Sequence, residues 1–144
     1  MRKPLILTIL AGLSFGATCA SAAITEINAN ANGHFVTTAA INGRDIEVLV
    51  DTGATVVALS YEDAKDAGLH PGSLTFDIPV STANGPARAA RVSIGRISID
   101  GLEVEDVEGM VLQEGALNGT LLGMSFLNRL SSFRVEDGVL RLKD

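Results

Sequence analysis

The chain has 144 residues, with 11 Lys and Arg against 17 Asp and Glu, a formal net charge of −6, one cysteine, two histidines and no tryptophan. That length holds one domain able to bury a sizeable core. An acidic chain with scattered arginines and few aromatics argues against nucleic acid as a partner.

The first residues read as a targeting segment. Arg2 and Lys3 form a positive region, Leu5 to Ala17 an apolar one, and Ala20-Ser21-Ala22 an A-x-A cleavage site. The apolar run is about 13 residues, short of the roughly 20 that cross a bilayer. Cleavage is expected after Ala22, giving a signal peptide over 1–22 and a domain over 23–144; an uncleaved anchor is the alternative. Cys19 follows Gly16-Ala17-Thr18, a poor lipoprotein box, and leaves with the signal. The mature chain then has no cysteine, so an oxidising compartment is tolerated but not exploited. Loss of Arg2 and Lys3 takes the net charge from −6 to about −8. The expected location is periplasmic or secreted, with no stable membrane insertion after cleavage.

Short strand-like runs separated by turn dipeptides follow. Phe35 to Ile41, Asn42-Gly43 and Ile46 to Val50 read as a hairpin with a type I′ turn. Asn84-Gly85, Asp100-Gly101 and Asp137-Gly138 repeat the device; the last separates Phe133-Arg134-Val135 from Val139 to Leu142. Helix signals are sparse. Ser60 caps a short helix over Tyr61 to Ala67, with Gly68 as its stop, and a second candidate runs from Met124 to Leu130 after Gly123. Close, regular strands with one or two short helices predict a mainly β fold, a small barrel or sandwich.

One acid stands apart from this pattern. Asp100 and Asp137 precede glycine directly and serve as turn residues. Asp51 instead follows Val48-Leu49-Val50 and precedes Thr52-Gly53-Ala54. An ionised carboxylate at the tip of an apolar strand needs donors or a cleft. A following glycine permits an unusual backbone or a close approach. The competing reading is a polar turn between two core strands. A second element, Leu121-Leu122-Gly123-Met124-Ser125-Phe126-Leu127, couples an apolar strand to a glycine and a helix start, which alone is ordinary core.

Together the two elements resemble the retropepsin-like (clan AA) aspartic proteases, and in particular their bacterial exported branch. The resemblance extends over Gly33-His34-Phe35, Ile41-Asn42-Gly43-Arg44, Val50 to Thr55, Asp63-Ala64, Gly68-Leu69, Thr82-Ala83-Asn84-Gly85, Leu121 to Leu127 and Asp137 to Leu142. It implies a small closed β-barrel of the acid protease type, no cofactor, and hydrolysis of peptide bonds in an extended polypeptide. Two carboxylates sharing one proton would activate water. With one D-T-G in the chain, the second Asp51 would come from a second copy, making a homodimer. In that scheme Thr52 hydrogen-bonds across the dimer, the Gly53 N–H faces the carboxylate, and Ala54 leaves room for substrate. Leu121, Leu122 and Gly123 would pack the active-site base. Thr82, Ala83, Asn84 and Gly85 would form a flap, although Pro86 departs from a freely zipping hairpin and the segment has no tyrosine. The resemblance also suggests selective processing of an exported or envelope protein.

The remaining polar residues carry blander expectations. His34 and His70 lack metal-ligand spacing, so no metal site is expected, and His34 is expected to pack at a strand start. Glu103, Glu105, Asp106 and Glu108 read as a solvated strand face. Arg129 and Arg134 read as surface cations, with pairing at a dimer seam the alternative. The rival function is a non-catalytic peptide-binding or dimerisation module of the same fold, with an envelope structural protein as a third reading. An intact Asp51-Thr52-Gly53 favours the enzyme.

Overall fold

The computed structural model describes residues 21–144, so the expected signal segment lies outside the described residues except for Ser21 and Ala22. In chain order the elements are β1 (Ile24–Asn28), β2 (Val36–Ile41), β3 (Arg44–Val50), β4 (Val57–Leu59), α1 (Tyr61–Asp66), β5 (Ile78–Thr82) and β6 (Gly85–Ile99). They continue with β7 (Leu102–Leu112), β8 (Thr120–Leu122), α2 (Met124–Leu127), β9 (Ser132–Glu136) and β10 (Val139–Lys143).

Turn chemistry fixes the hairpins. Asn42-Gly43, Asp100-Gly101 and Asp137-Gly138 hold positive φ at both positions, as a type I′ turn requires. The expected Asn84-Gly85 turn does not form. The two-residue loop is Ala83-Asn84, with Thr82 paired to Gly85 and Ser81 to Pro86. A turn centred on Asn84-Gly85 would be closed by the N–H of residue 86, and Pro86 has none. The loop therefore steps back by one residue. Gly85 takes φ +108, and the Thr82 hydroxyl accepts from Asn84 N–H at 3.2 Å and donates to the Gly85 carbonyl at 2.8 Å.

The barrel is a ring in the order β2-β3-β8-β4-β7-β6, closed where β6 returns to β2 through Ala40↔Ser98 and Ile41↔Ile97. Strand β5 hangs from β6 outside the ring. The fold is mainly β with a closed six-stranded barrel and two short helices. Period-2 alternation turns Ile46 and Val48 of β3, Ile97 and Ile99 of β6, and Leu102 and Val104 of β7 into the core. At Gly95 and Asp106, where the β6–β7 ladder is interrupted and Asp106 takes φ +52, the phase flips, so Ile94 and Val107 are buried in the same core. Phe126 and Leu127 of α2 close it. Each such aliphatic side chain contributes about 1.5–3 kcal/mol on burial.

Both helices are shorter than the sequence suggests. Ser60 caps α1 by accepting from Asp63 N–H at 3.1 Å. Past Leu127 the chain tightens into i→i−3 bonds, Arg129 N–H to Phe126 and Leu130 N–H to Leu127, so α2 stops after one turn. A separate sheet, β1-β10-β9, packs Ile27, Leu140 and Leu142 inward. On its outer face Arg141 bonds Glu26 at 2.7 Å and Glu136 at 2.8 Å. The Glu26 hydrogen bond holds that guanidinium above its ordinary value; desolvation opposes it, and the neighbouring acidic charges of Glu26, Glu136 and Asp137 add to it. His34 is exposed in a turn with Asn30; the packing expected of it is done by Phe35. No helix among the described residues is long and apolar enough to cross a membrane.

Candidate active site

Strands β3 and β8 run parallel and end side by side, with Val50 opposite Leu122. The next residue on β3 is Asp51, whose N–H donates to the Leu122 carbonyl at 3.1 Å. The chain then turns sharply. Gly53 N–H donates to Asp51 Oδ1 at 2.8 Å, and Ala54 N–H to the Asp51 carbonyl at 3.2 Å. The Ala54 carbonyl accepts from Met124 N–H at 2.8 Å, so the loop is pinned across Gly123.

The two glycines are required for different reasons. A Cβ on Gly123 would lie 2.2 Å from the Val56 carbonyl oxygen and 2.7 Å from that of Ala54. Its φ of −93° is open to any residue; what excludes a side chain there is the loop backbone passing overhead. A Cβ on Gly53 would sit 3.1 Å from Asp51 Oδ1, a tight contact against the carboxylate.

Two hydroxyls that the sequence did not mark fasten this assembly. Ser125 Oγ accepts from the buried Val57 N–H at 2.9 Å and donates to the Glu108 carbonyl at 2.6 Å, joining α2, β4 and β7. Thr120, buried at the start of β8, donates to Asp63 Oδ2 at 2.7 Å and ties α1 to the strand beneath Asp51. Their signal was faint: a polar residue beside Leu121-Leu122 and another inside Gly123-Met124-Ser125-Phe126.

Half-buried Asp51 faces a cleft of about 840 Å³. Gly53, Ala54, Val56 and Leu121 line its floor, and Val80, Ser81, Thr82 and Ala83 of the β5 hairpin line the opposite side. Asn84 at the hairpin tip and Gly85 at the start of β6 lie beyond the lining, Leu122 and Gly123 lie buried beneath it, and Thr52 is exposed at the loop apex. Among the described residues the Thr52 hydroxyl has no hydrogen-bond partner. The far wall carries Met110, Leu112 and the ion pair Arg91 Nη1–Glu108 Oε1 at 2.8 Å. Glu108 thus belongs to a cleft wall, where the sequence suggested a plain solvated face. Glu103, Glu105 and Asp106 are exposed as expected. Arg134 pairs loosely with Glu136 of its own chain at 3.5 Å, and Arg129 Nη1 reaches the Asp106 carbonyl at 3.5 Å. Among the described residues no three His, Cys, Asp or Glu side chains converge to hold a metal.

A closed barrel with an Asp-Thr-Gly loop seated on a Leu-Leu-Gly strand end is the architecture of the retropepsin class. Known proteins agree with that placement. The model of the family described as "gag-polyprotein putative aspartyl protease" matches residues 37–129. A retropepsin-like aspartic protease from Rickettsia conorii has a similar structure, with 35% identity and a TM-score of 0.73 over 83% of this chain and 98% of that one. EIAV protease shares the fold at 20% identity and a TM-score of 0.59, over 74% of this chain and 97% of that one. An uncharacterised Sinorhizobium protein encoded in the cobV 5′ region is 48% identical over 113 residues, and one from Rickettsia prowazekii 38% over 111. The match spans 78% and 77% of this chain but only 48% and 47% of those relatives, so the chain spans about half the length of the curated relatives it matches. The chain belongs to the retropepsin-like aspartic protease family of clan AA.

Proposed function

We propose that the chain is an aspartic endopeptidase that works as a homodimer, with Asp51 of each copy meeting on a shared two-fold axis. The observation that supports this best is the placement of Asp51, the carboxylate at the strand-end floor of the cleft, with Gly53 N–H aimed at its Oδ1. A single copy supplies one such carboxylate, and the chemistry needs two. The ionised member takes a proton from water as the water oxygen adds to the scissile carbonyl carbon, and the protonated member gives its proton to the carbonyl oxygen. As the C–N bond of the resulting diol breaks, the nitrogen takes the proton held by the first carboxyl. A diol hydroxyl returns a proton to the second, restoring the pair. The pair works while it holds one proton, so activity follows a bell in pH.

The supporting roles follow from position. Thr52, exposed with an unengaged hydroxyl, hydrogen-bonds to the partner's loop. Ala54 keeps the floor shallow. Thr82, Ala83, Asn84 and Gly85 act as a flap that opens to admit an extended polypeptide and closes over it. The substrate is a segment of an exported or envelope protein, reached after the 1–22 signal is removed and the domain is released to the periplasm or medium. The Ala23 carbonyl accepts from Asp144 N–H at 3.1 Å, so a cut after Ala22 leaves the sheet contact of the new N-terminus in place. Sequencing of the mature protein is expected to begin at Ala23, and an intact Met1 on membrane-bound protein would point to the anchor instead. Incubation with a peptide library, read by mass spectrometry beside an Asp51→Asn control, tests the activity. Defined cleavages lost in the control support the reading, and cleavages that persist in it contradict the reading.

A further inference from the structure

The chain carries four Asn-Gly dipeptides, beginning at Asn32, Asn42, Asn84 and Asn118. Asparagine is a thermolabile residue. A glycine after it makes the link more labile, because no side chain hinders attack of the glycine nitrogen on the asparagine amide carbon. All four sites share the same two reacting residues, so the fold is what tells them apart. Attack needs a mobile asparagine side chain and a following N–H that is free to lose its proton.

Three of the four are restrained. Asn42 is held at both ends of its amide: Nδ2 donates to the Ala67 carbonyl at 3.2 Å, and Oδ1 accepts from Arg96 N–H at 3.2 Å. Its own N–H donates to the Arg96 carbonyl at 2.9 Å, and the tight turn fixes the backbone with positive φ at Asn42 and Gly43. After Asn32 the attacking nitrogen is engaged, since Gly33 N–H donates to the Asn30 carbonyl at 2.9 Å. After Asn84, Gly85 stands opposite Thr82 across the two-residue loop, where its N–H closes the turn on the Thr82 carbonyl. Asn118 has none of these restraints. It is exposed in the irregular segment between β7 and β8. Among the described residues neither its amide nor the Gly119 N–H has a hydrogen-bond partner.

We propose that Asn118-Gly119 is a self-modification site, the point at which the folded chain is converted first by its own backbone. The Gly119 nitrogen gives up its proton to solvent base and bonds to Asn118 Cγ. The Cγ–Nδ2 bond breaks, and Nδ2 leaves as ammonia with a proton taken from water. The product is a five-membered succinimide. Water then adds to one of its two carbonyl carbons and breaks the ring C–N bond there, leaving aspartate or isoaspartate. Water is the one co-reactant, and nothing is oxidised or reduced.

The place of Asn118 gives the conversion a consequence. Leu117, the residue before it, lines the cleft, and Leu121 lines the floor. Between Gly119 and Leu121, Thr120 anchors β8 through its 2.7 Å bond to Asp63. Aspartate adds one negative charge beside this wall. Isoaspartate also routes the backbone through the side-chain methylene, lengthening by one atom the stretch that joins Leu117 to Thr120. This part of the cleft wall therefore changes with the age of the molecule.

Following all four sites in one sample tests the proposal. The purified folded chain is warmed at mildly alkaline pH, where more of the amide nitrogen is deprotonated, and mass spectrometry of its peptides reads the loss of each side-chain amide. A second sample is held in guanidinium chloride. In the folded chain Asn118 should convert first, about thirtyfold faster than Asn42, whose side chain must break two hydrogen bonds to react. In denaturant those bonds are gone, and the four rates should draw together. Asn118→Gln, whose longer side chain would have to close a six-membered ring, should remove the earliest acidic species seen on ion exchange. Any of the other three sites converting as fast as Asn118 in the folded chain would overturn the proposal. So would a ranking that survives in denaturant, or an early acidic species that persists in Asn118→Gln. None of these readouts depends on peptide hydrolysis, so the proposed function stands or falls separately.

Discussion

The two sides of the cleft are built in opposite ways. The floor beneath Asp51 is laced by backbone bonds to β8 and α2, seated on a glycine with no space for a methyl group, and fastened by the half-buried Ser125 and buried Thr120 hydroxyls. The β5–β6 hairpin opposite is edge strand and tip. Ser81, Ala83 and Asn84 are exposed, and its turn is closed by one threonine hydroxyl. A side with many buried bonds opens only at high cost, whereas a side with few opens cheaply. That difference is what the proposed function requires: a fixed floor for chemistry and a yielding side for substrate entry.

Substitutions should separate the two sides. Asp51→Asn keeps the shape of the floor and removes its acid–base capacity. Turnover should fall by about a thousandfold or more, while the melting temperature moves by only a few degrees; kcat and thermal unfolding measure the two. Gly123→Ala forces a Cβ into two carbonyl oxygens that cannot yield as a side chain would. It should cost about 3 kcal/mol or more in urea unfolding, or displace the loop with loss of activity. Ser125→Ala strands the buried Val57 N–H, a loss of about 1–3 kcal/mol, seen as a lower denaturation midpoint. Thr82→Val, on the other side, removes the hydroxyl that shapes the tip. It should raise KM a few-fold with the melting temperature nearly unchanged. A large stability loss at Thr82, or none at Gly123, would erase the contrast.

Local chemistry was the legible part of the sequence. The Asx-Gly hairpins need positive φ at two adjacent residues, a requirement visible in the letters themselves, and three of four expected turns formed there. The fourth moved because Pro86 lacks the N–H that would close it. The apolar run ending in Asp51 and the Leu121-Leu122-Gly123 segment were visible, and pairing them across about seventy residues rested on resemblance rather than on periodicity. Barrel closure at Ile41↔Ile97 is non-local and leaves no trace in either strand alone. Strand β1, a five-residue ITEIN segment behind the expected signal, was not anticipated, because its meaning depends on β10 at the far end of the chain. Glu108 shows a further limit. Exposure on a strand face was readable, but which exposed face curls around a cleft depends on how β6 and β7 bend together.

The central claim, that one catalytic centre is shared by two copies of Asp51, is tested most directly by mixing. Active chain held at fixed concentration is titrated with the Asp51→Asn chain under conditions of free subunit exchange, and peptide hydrolysis is followed. Heterodimers hold a single ionisable carboxyl at the axis. At equal amounts about half of the active chains are trapped in such pairs, so activity should drop to about half and continue falling as the variant is added. Activity that stays constant through a large excess of the Asp51→Asn chain, with exchange verified by sedimentation of tagged subunits, would mean that each copy works alone and that no shared centre exists.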